Sequence, residues 1–282
     1  MLFNPRAFVG PCLLSIAAFA STPESDPSKS PAKPVPEQSE LVTDRPDFTE
    51  SAEVAGRAMF QIETGFAIDR SILEGERSRS LTGPFPLLRV GVSKRVELRF
   101  AGDGYSWSRL SSTGAEEHVR GRSDFSIGGK VKFFDQTAAR PDFAVIAAVS
   151  VPKGHPQFRG GGYDPEVKLC FAKDAPLGFV TSWNINLASV SDDQGRFLGR
   201  AFSLSAGHAV WRDLSMYSEL YNMSIDRGLG TSTVFNGGLT HPIGKNVQVD
   251  VLAGHSVAGR QVGWFVGVGF SMRQSLLPAG RH

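Results

Sequence analysis

The chain has 282 residues, with 30 basic and 28 acidic side chains and a formal net charge of +2. That balance excludes a bulk electrostatic pull toward nucleic acid or an anionic surface. The 31 glycines beside a 41% hydrophobic content disfavour a bundle of membrane helices and favour strands and turns.

Residues 1–20 carry the pattern of a secretory signal. Arg6 supplies the positive charge, Phe8 to Phe19 form an apolar core interrupted by Pro11, and Ala18-Phe19-Ala20 is a small-x-small cleavage site. A buried helix opening a globular domain is the alternative, but residues 21–40 are polar and proline-rich and offer it nothing to pack against. Cys12 is poorly placed for lipidation, with Pro11 before it and an apolar run after it. Removal of the signal leaves Cys170 alone, which excludes an internal disulfide. Beyond the signal no run approaches the roughly 18 apolar residues of a spanning helix. A membrane-embedded chain would then be a closed barrel.

From residue 57 onward apolar and polar residues alternate. Phe60, Ile62, Phe66 and Ile68 oppose Gln61, Glu63, Gly65 and Asp69, and Phe125, Ile127, Val131 and Phe133 oppose Asp124, Ser126, Lys130 and Lys132. Further on, Trp183, Ile185 and Leu187 oppose Ser182, Asn184 and Asn186, while Val249 and Val251 oppose Gln248 and Asp250. Val262, Trp264, Val266, Val268, Phe270 and Met272 complete one greasy face. The pattern predicts strands at 57–68, 86–93, 95–102, 123–134, 142–151, 165–172, 178–189, 200–210, 213–223, 232–241, 246–256 and 261–272. These make about twelve, an even number suited to a closed all-β, antiparallel, up-and-down transmembrane barrel.

Connection lengths support the same fold. Short turns fall near 93–95, 135–140, 173–176, 211–213 and 244–246, and they alternate with loops expected at 69–85, 103–122, 152–164, 190–199 and 224–231; only 258–260 is tight on the long-loop side. Short turns on one rim and long loops on the other is the outer-membrane arrangement. A soluble barrel or sandwich would turn its apolar face inward, but strands this long suit a tilted membrane span better. The expected order is signal 1–20, linker 21–40, a periplasmic lead-in segment 41–56, barrel 57–273 and polar tail 274–282.

Thr43-Asp44-Arg45-Pro46-Asp47-Phe48-Thr49-Glu50-Ser51, followed by Phe60 to Gly65, resembles the opening of the MetA-pathway phenol-degradation family. Pro86 to Gly91, Val96 to Arg99, Val149 to Gly154 and Gly237 to Phe270 extend the resemblance over about 41–273. It implies a transporter-like, porin-like outer-membrane barrel. One departure is the ending: such barrels commonly close on an aromatic residue, whereas here Phe270 and Met272 precede a polar tail.

Asp44, Arg45, Asp47 and Glu50 surround Pro46, which fixes its own φ and biases Arg45 toward an extended conformation. The segment is either a solvated approach to the first strand or a plug that folds into the periplasmic mouth and pairs with lumen charges. Period two places Glu63, Arg89, Glu97, Arg99, Lys130, Lys132, Lys168, Glu219 and Asp250 on the lumen face. They either fill the interior as ion pairs or set a preference for anionic, including carboxylated, solutes.

No catalytic constellation or cofactor motif stands out, and an enzyme is not expected. The histidines lack metal-ligand spacing. Gly254-His255-Ser256-Val257-Ala258 lies in an alternating strand, not a strand-to-helix elbow. A barrel lipase or acyltransferase is the alternative class, and a plugged structural barrel a third. Arg77-Ser78-Arg79 and Arg120-Gly121-Arg122 are expected in external loops, solvated or touching lipopolysaccharide. The expected partners are outer-membrane lipid and lipopolysaccharide, the barrel-assembly machinery and a small solute, without nucleic acid.

Overall fold

Alternating side chains need one wet or packed face and one apolar face, and a closed sheet supplies both. In the computed structural model, which describes residues 41–112, 114–192, 195–225 and 231–277, they form fifteen antiparallel strands in one sheet. The expected signal, the linker, Cys12 and residues 278–282 lie outside the described residues. The strands are β1 Met59–Leu73, β2 Glu76–Thr82, β3 Leu87–Gly91, β4 Val96–Gly102, β5 Tyr105–Ser112, β6 Ala115–Arg122, β7 Phe125–Phe134 and β8 Asp142–Val151. They continue as β9 Asp164–Asp174, β10 Phe179–Asp192, β11 Gly195–Trp211, β12 Leu214–Ile225, β13 Thr231–Pro242, β14 Val247–Gly259 and β15 Gln261–Ser275. No described helix is long and apolar enough to cross a membrane.

β15 pairs with β1 along its whole length, from Met59↔Ser275 to Leu73↔Gln261, and so closes a 12-strand ring. Three of the twelve are broken in two. β2 and β3 are separated at Gly83 to Pro86, β4 and β5 at Asp103-Gly104, and β6 and β7 at Ser123-Asp124. β1 therefore pairs with β3 near its start and with β2 near its end, and β5 and β6 continue the wall outward from β2.

Two stretches expected to be loops, 69–85 and 103–122, are mostly strand. β1 and β2 meet at Glu74-Gly75, and Arg77-Ser78-Arg79 and Arg120-Gly121-Arg122 lie in β2 and β6. The expected loop 190–199 is also shortened, because β10 runs to Asp192 and β11 starts at Gly195. These extensions keep period two but carry it in polar residues, with arginine outward and serine or glycine inward. Residues 152–163 do form a loop. It lies against the unpaired edge of β6, with His155 N donating to Arg122 O (2.8 Å) and Gly161 N to Ser191 O (2.8 Å).

The outward faces are the apolar ones. Val262, Trp264, Val266 and Val268 are 60%, 43%, 45% and 54% exposed on one strand. Apolar side chains exposed around a whole barrel define a lipid-facing surface. Polar residues on the same strands point into the lumen and are buried there.

Candidate functional site

The segment 41–56 is not a solvated approach. It enters at the short-turn rim, where Ala58 N donates to Gly91 O, and most of its side chains, including those of Asp44, Arg45, Asp47 and Glu50, are buried inside the barrel. Buried polar groups need partners, and this loop finds them around the lumen wall. Asp44 Oδ1 accepts from Ser51 N (3.1 Å) and Ser51 Oγ (2.7 Å), which closes the loop on itself.

Asp44 is the centre of the cluster. It faces Arg89 (3.5 Å), Lys130 (2.9 Å) and Arg99, and its own N–H donates to Glu63 Oε2 (2.8 Å). Arg89 also reaches Glu63 and Glu97, each at 3.0 Å. Arg99 bridges Glu97 (2.8 Å) and Glu50 (2.6 Å), while Lys168 meets the other oxygen of Glu50 at 2.6 Å. Lys130 Nζ also donates to the carbonyls of Ser51 (3.0 Å) and Glu53 (3.1 Å). Burial alone would raise the Asp44 and Glu50 carboxyls, but their cations outweigh it. Arg89, Lys130 and Arg99 hold Asp44 well below the usual carboxylate range, and Arg99 and Lys168 hold Glu50 below it.

The far side of the loop is tied to the opposite wall. Arg45 pairs with Asp250 (3.2 Å). The guanidinium lies over two glycines paired across β1 and β15, Gly65 and Gly269, where a Cβ would come within 2.5 and 2.3 Å of it. Glu219 accepts from Phe48 N (2.8 Å), Thr49 N (2.6 Å) and Asn236 Nδ2 (2.6 Å). Thr49 Oγ1 lies 2.8 Å from Ser203 Oγ, and Phe48 stacks on Tyr221 with ring centroids 4.4 Å apart.

All thirteen charges expected from the sequence are buried here. Lys132 stands apart at the short-turn rim, with Glu53, Asp135 and Asp142. Asp47 is buried in the same loop. Gln61, Asn184, Ser203, Asn236 and Gln248, which alternation puts on the polar face but which are absent from the expected site residues, are also inward and buried. Their inward parity beside Glu63, Glu219 and Asp250 was the available signal. His255 and Ser256 point to opposite faces of β14, so they cannot act on one bond together. Among the described residues no cluster of His, Cys, Asp or Glu could hold a metal ion.

A closed antiparallel barrel with an apolar outer belt and a charged interior is an outer-membrane β-barrel protein. The profile of the family described as "Putative MetA-pathway of phenol degradation" matches residues 43–274, and the chain belongs to that family. No curated protein sequence matches it. Among solved structures, an outer membrane channel from Pseudomonas putida F1 is similar with a TM-score of 0.62 at 12% identity, covering 79% of this chain and 98% of that one. The β-domain of the Bordetella autotransporter BrkA gives 0.52 at 12% identity, over 76% and 99%. The translocator domain of the autotransporter NalP from Neisseria meningitidis gives 0.51 at 10%, over 76% and 88%.

Proposed function

We propose that the protein is a gated channel for small solutes bearing a carboxylate, with residues 41–56 as the gate. The observation that carries this reading is the seating of Asp44 and Glu50 against Arg99, Lys130 and Lys168. Two carboxylates of a separate segment occupy cations fixed on the wall, which is how a carboxylated solute would bind if the segment moved aside. The Phe48–Tyr221 stack offers an aromatic surface on the opposite wall of the lumen, in keeping with the aromatic chemistry in the family's description. A cation left unpaired in the lumen is costly, so an incoming carboxylate would take the place of the one the segment withdraws.

Planar-bilayer conductance tests the gate. Asp44→Asn with Glu50→Gln removes the docking charges and should raise conductance, with an anion-selective reversal potential in asymmetric salt. Thr49→Cys with Ser203→Cys replaces hydroxyls 2.8 Å apart and should lower conductance when oxidised and restore it on reduction. Unchanged conductance in both variants would favour a permanently plugged structural barrel, a reading that the burial of most of the segment's polar side chains also supports. Cation selectivity would remove the carboxylate preference.

A further inference from the structure

The outward face of the β1-β2-β5 extension carries an arrangement that the lumen does not explain. Arg70 is directly paired with Arg79, and Arg79 with Arg109. Three arginines thus stand side by side on three adjacent strands, all exposed and all pointing away from the lumen. Like charges directly opposite one another destabilise a sheet. Arg77 and Arg120 lie close by on the same face, adding to the charge. Counter-charge is sparse: Glu116 pairs with Arg109 and His118, while Arg70, Arg77, Arg79 and Arg120 have no carboxylate partner among the described residues.

The position of this row matters as much as its charge. One outward pair toward the membrane, Ile68 faces Leu81 on one side and Val266 on the other. The step from Arg70 to Ile68 is two residues, about 7 Å along a strand. Ile68, Leu81 and Val266 form one end of an apolar groove of about 510 Å3, whose floor is opened by Gly237 and whose walls include Val251 and Val268. The row lies at the end of the barrel opposite the buried amino-terminal segment, on the outer-leaflet side. Arg70 and Arg79 therefore stand over one end of an apolar trough that runs from β1 across β15 and β14 to β13 and fits an alkyl chain.

We infer that this face is a binding site for lipid A, the phosphorylated, multiply acylated glycolipid anchor of lipopolysaccharide. Its phosphates would be held by Arg70, Arg79 and Arg109, and one acyl chain would lie in the Gly237 groove. Guanidinium forks hold phosphate oxygens through paired, charge-assisted hydrogen bonds. An external polyanion also relieves the repulsion within the row. The inference depends on the membrane placement of the barrel and not on what crosses the lumen.

The test uses the full chain refolded in detergent, with native mass spectrometry reading retained lipid. The probes are lipid A, the same lipid stripped of phosphate, phosphatidylglycerol and inorganic phosphate. Lipid A should be retained, and stripping its phosphates or substituting R70S/R79S/R109S should weaken binding at least about ten-fold. Ala253→Leu, on an exposed lining residue, fills the groove and should weaken lipid A without touching any arginine. If the triple variant does not fold, Arg79→Ser and Ala253→Leu carry the comparison. Undiminished binding by the folded variants overturns the site, as does phosphatidylglycerol or free phosphate binding as well as lipid A.

Discussion

Arg99 illustrates what a single lumen residue does: it touches Asp44 and Glu50 of the inserted segment and Glu97 of its own strand. Losing one partner from such a buried set costs more than the set contributes, because the remaining charges stay desolvated. Arg45 is held by geometry as well as charge. A methyl group at Gly269 would lie 2.3 Å from Arg45 Nε and Nη2 and 2.5 Å from Asp250 Oδ1. Gly269→Ala should therefore push the guanidinium away from Asp250 while the barrel still closes, since the side chain that must yield is flexible. Segment docking should lose on the order of 3 kcal/mol, visible as raised conductance with unchanged heat-modifiable gel mobility. A variant that conducts as the parent does would show that Arg45 contributes nothing to docking.

At the scale of elements, one carboxylate anchors the loop 152–163 at two points, beside its backbone bonds to Arg122 and Ser191. Asp124, at the break between β6 and β7, accepts from Gly154 N and Gly160 N at 2.7 Å each. Hydrogen bonds to a charged acceptor contribute about 1.5–3 kcal/mol each. Asp124→Ala should release the loop and speed tryptic cleavage at the exposed Lys153 and Arg159, while the barrel core resists; an unchanged digestion rate would mean that other contacts hold the loop. Sequence legibility also divides at this scale. Strands within the bilayer were readable because lipid demands an apolar side at every second residue, as in Val262 to Met272. The extensions β2, β5 and β6 were not, because above the bilayer arginine serves the outer face as well as valine does, and Arg77-Ser78-Arg79 then reads as a loop. Inward charges could be assigned by parity, but their partners could not. Arg45 and Asp250 are 205 residues apart in sequence, and only the ring closure of β1 on β15 brings them together.

For the whole molecule, the inserted segment behaves as a ligand of its own barrel, and its docking is linked to protonation. Asp44 and Glu50 have lowered affinities for protons when docked, against ordinary values of roughly 4 for a released, solvated carboxyl. Protons therefore bind the released state more readily, and acid favours release. The stabilisation that these two groups supply is fully present above about pH 4 and decays as pH falls through their docked values. Their contribution does not change between neutral pH and the start of that window. A conductance titration should show an acid-induced opening below the ordinary carboxylate range, and Asp44→Asn with Glu50→Gln should abolish that component while starting from a higher baseline. An acid response identical in parent and double variant would assign the opening to other groups and detach it from the Asp44 cluster.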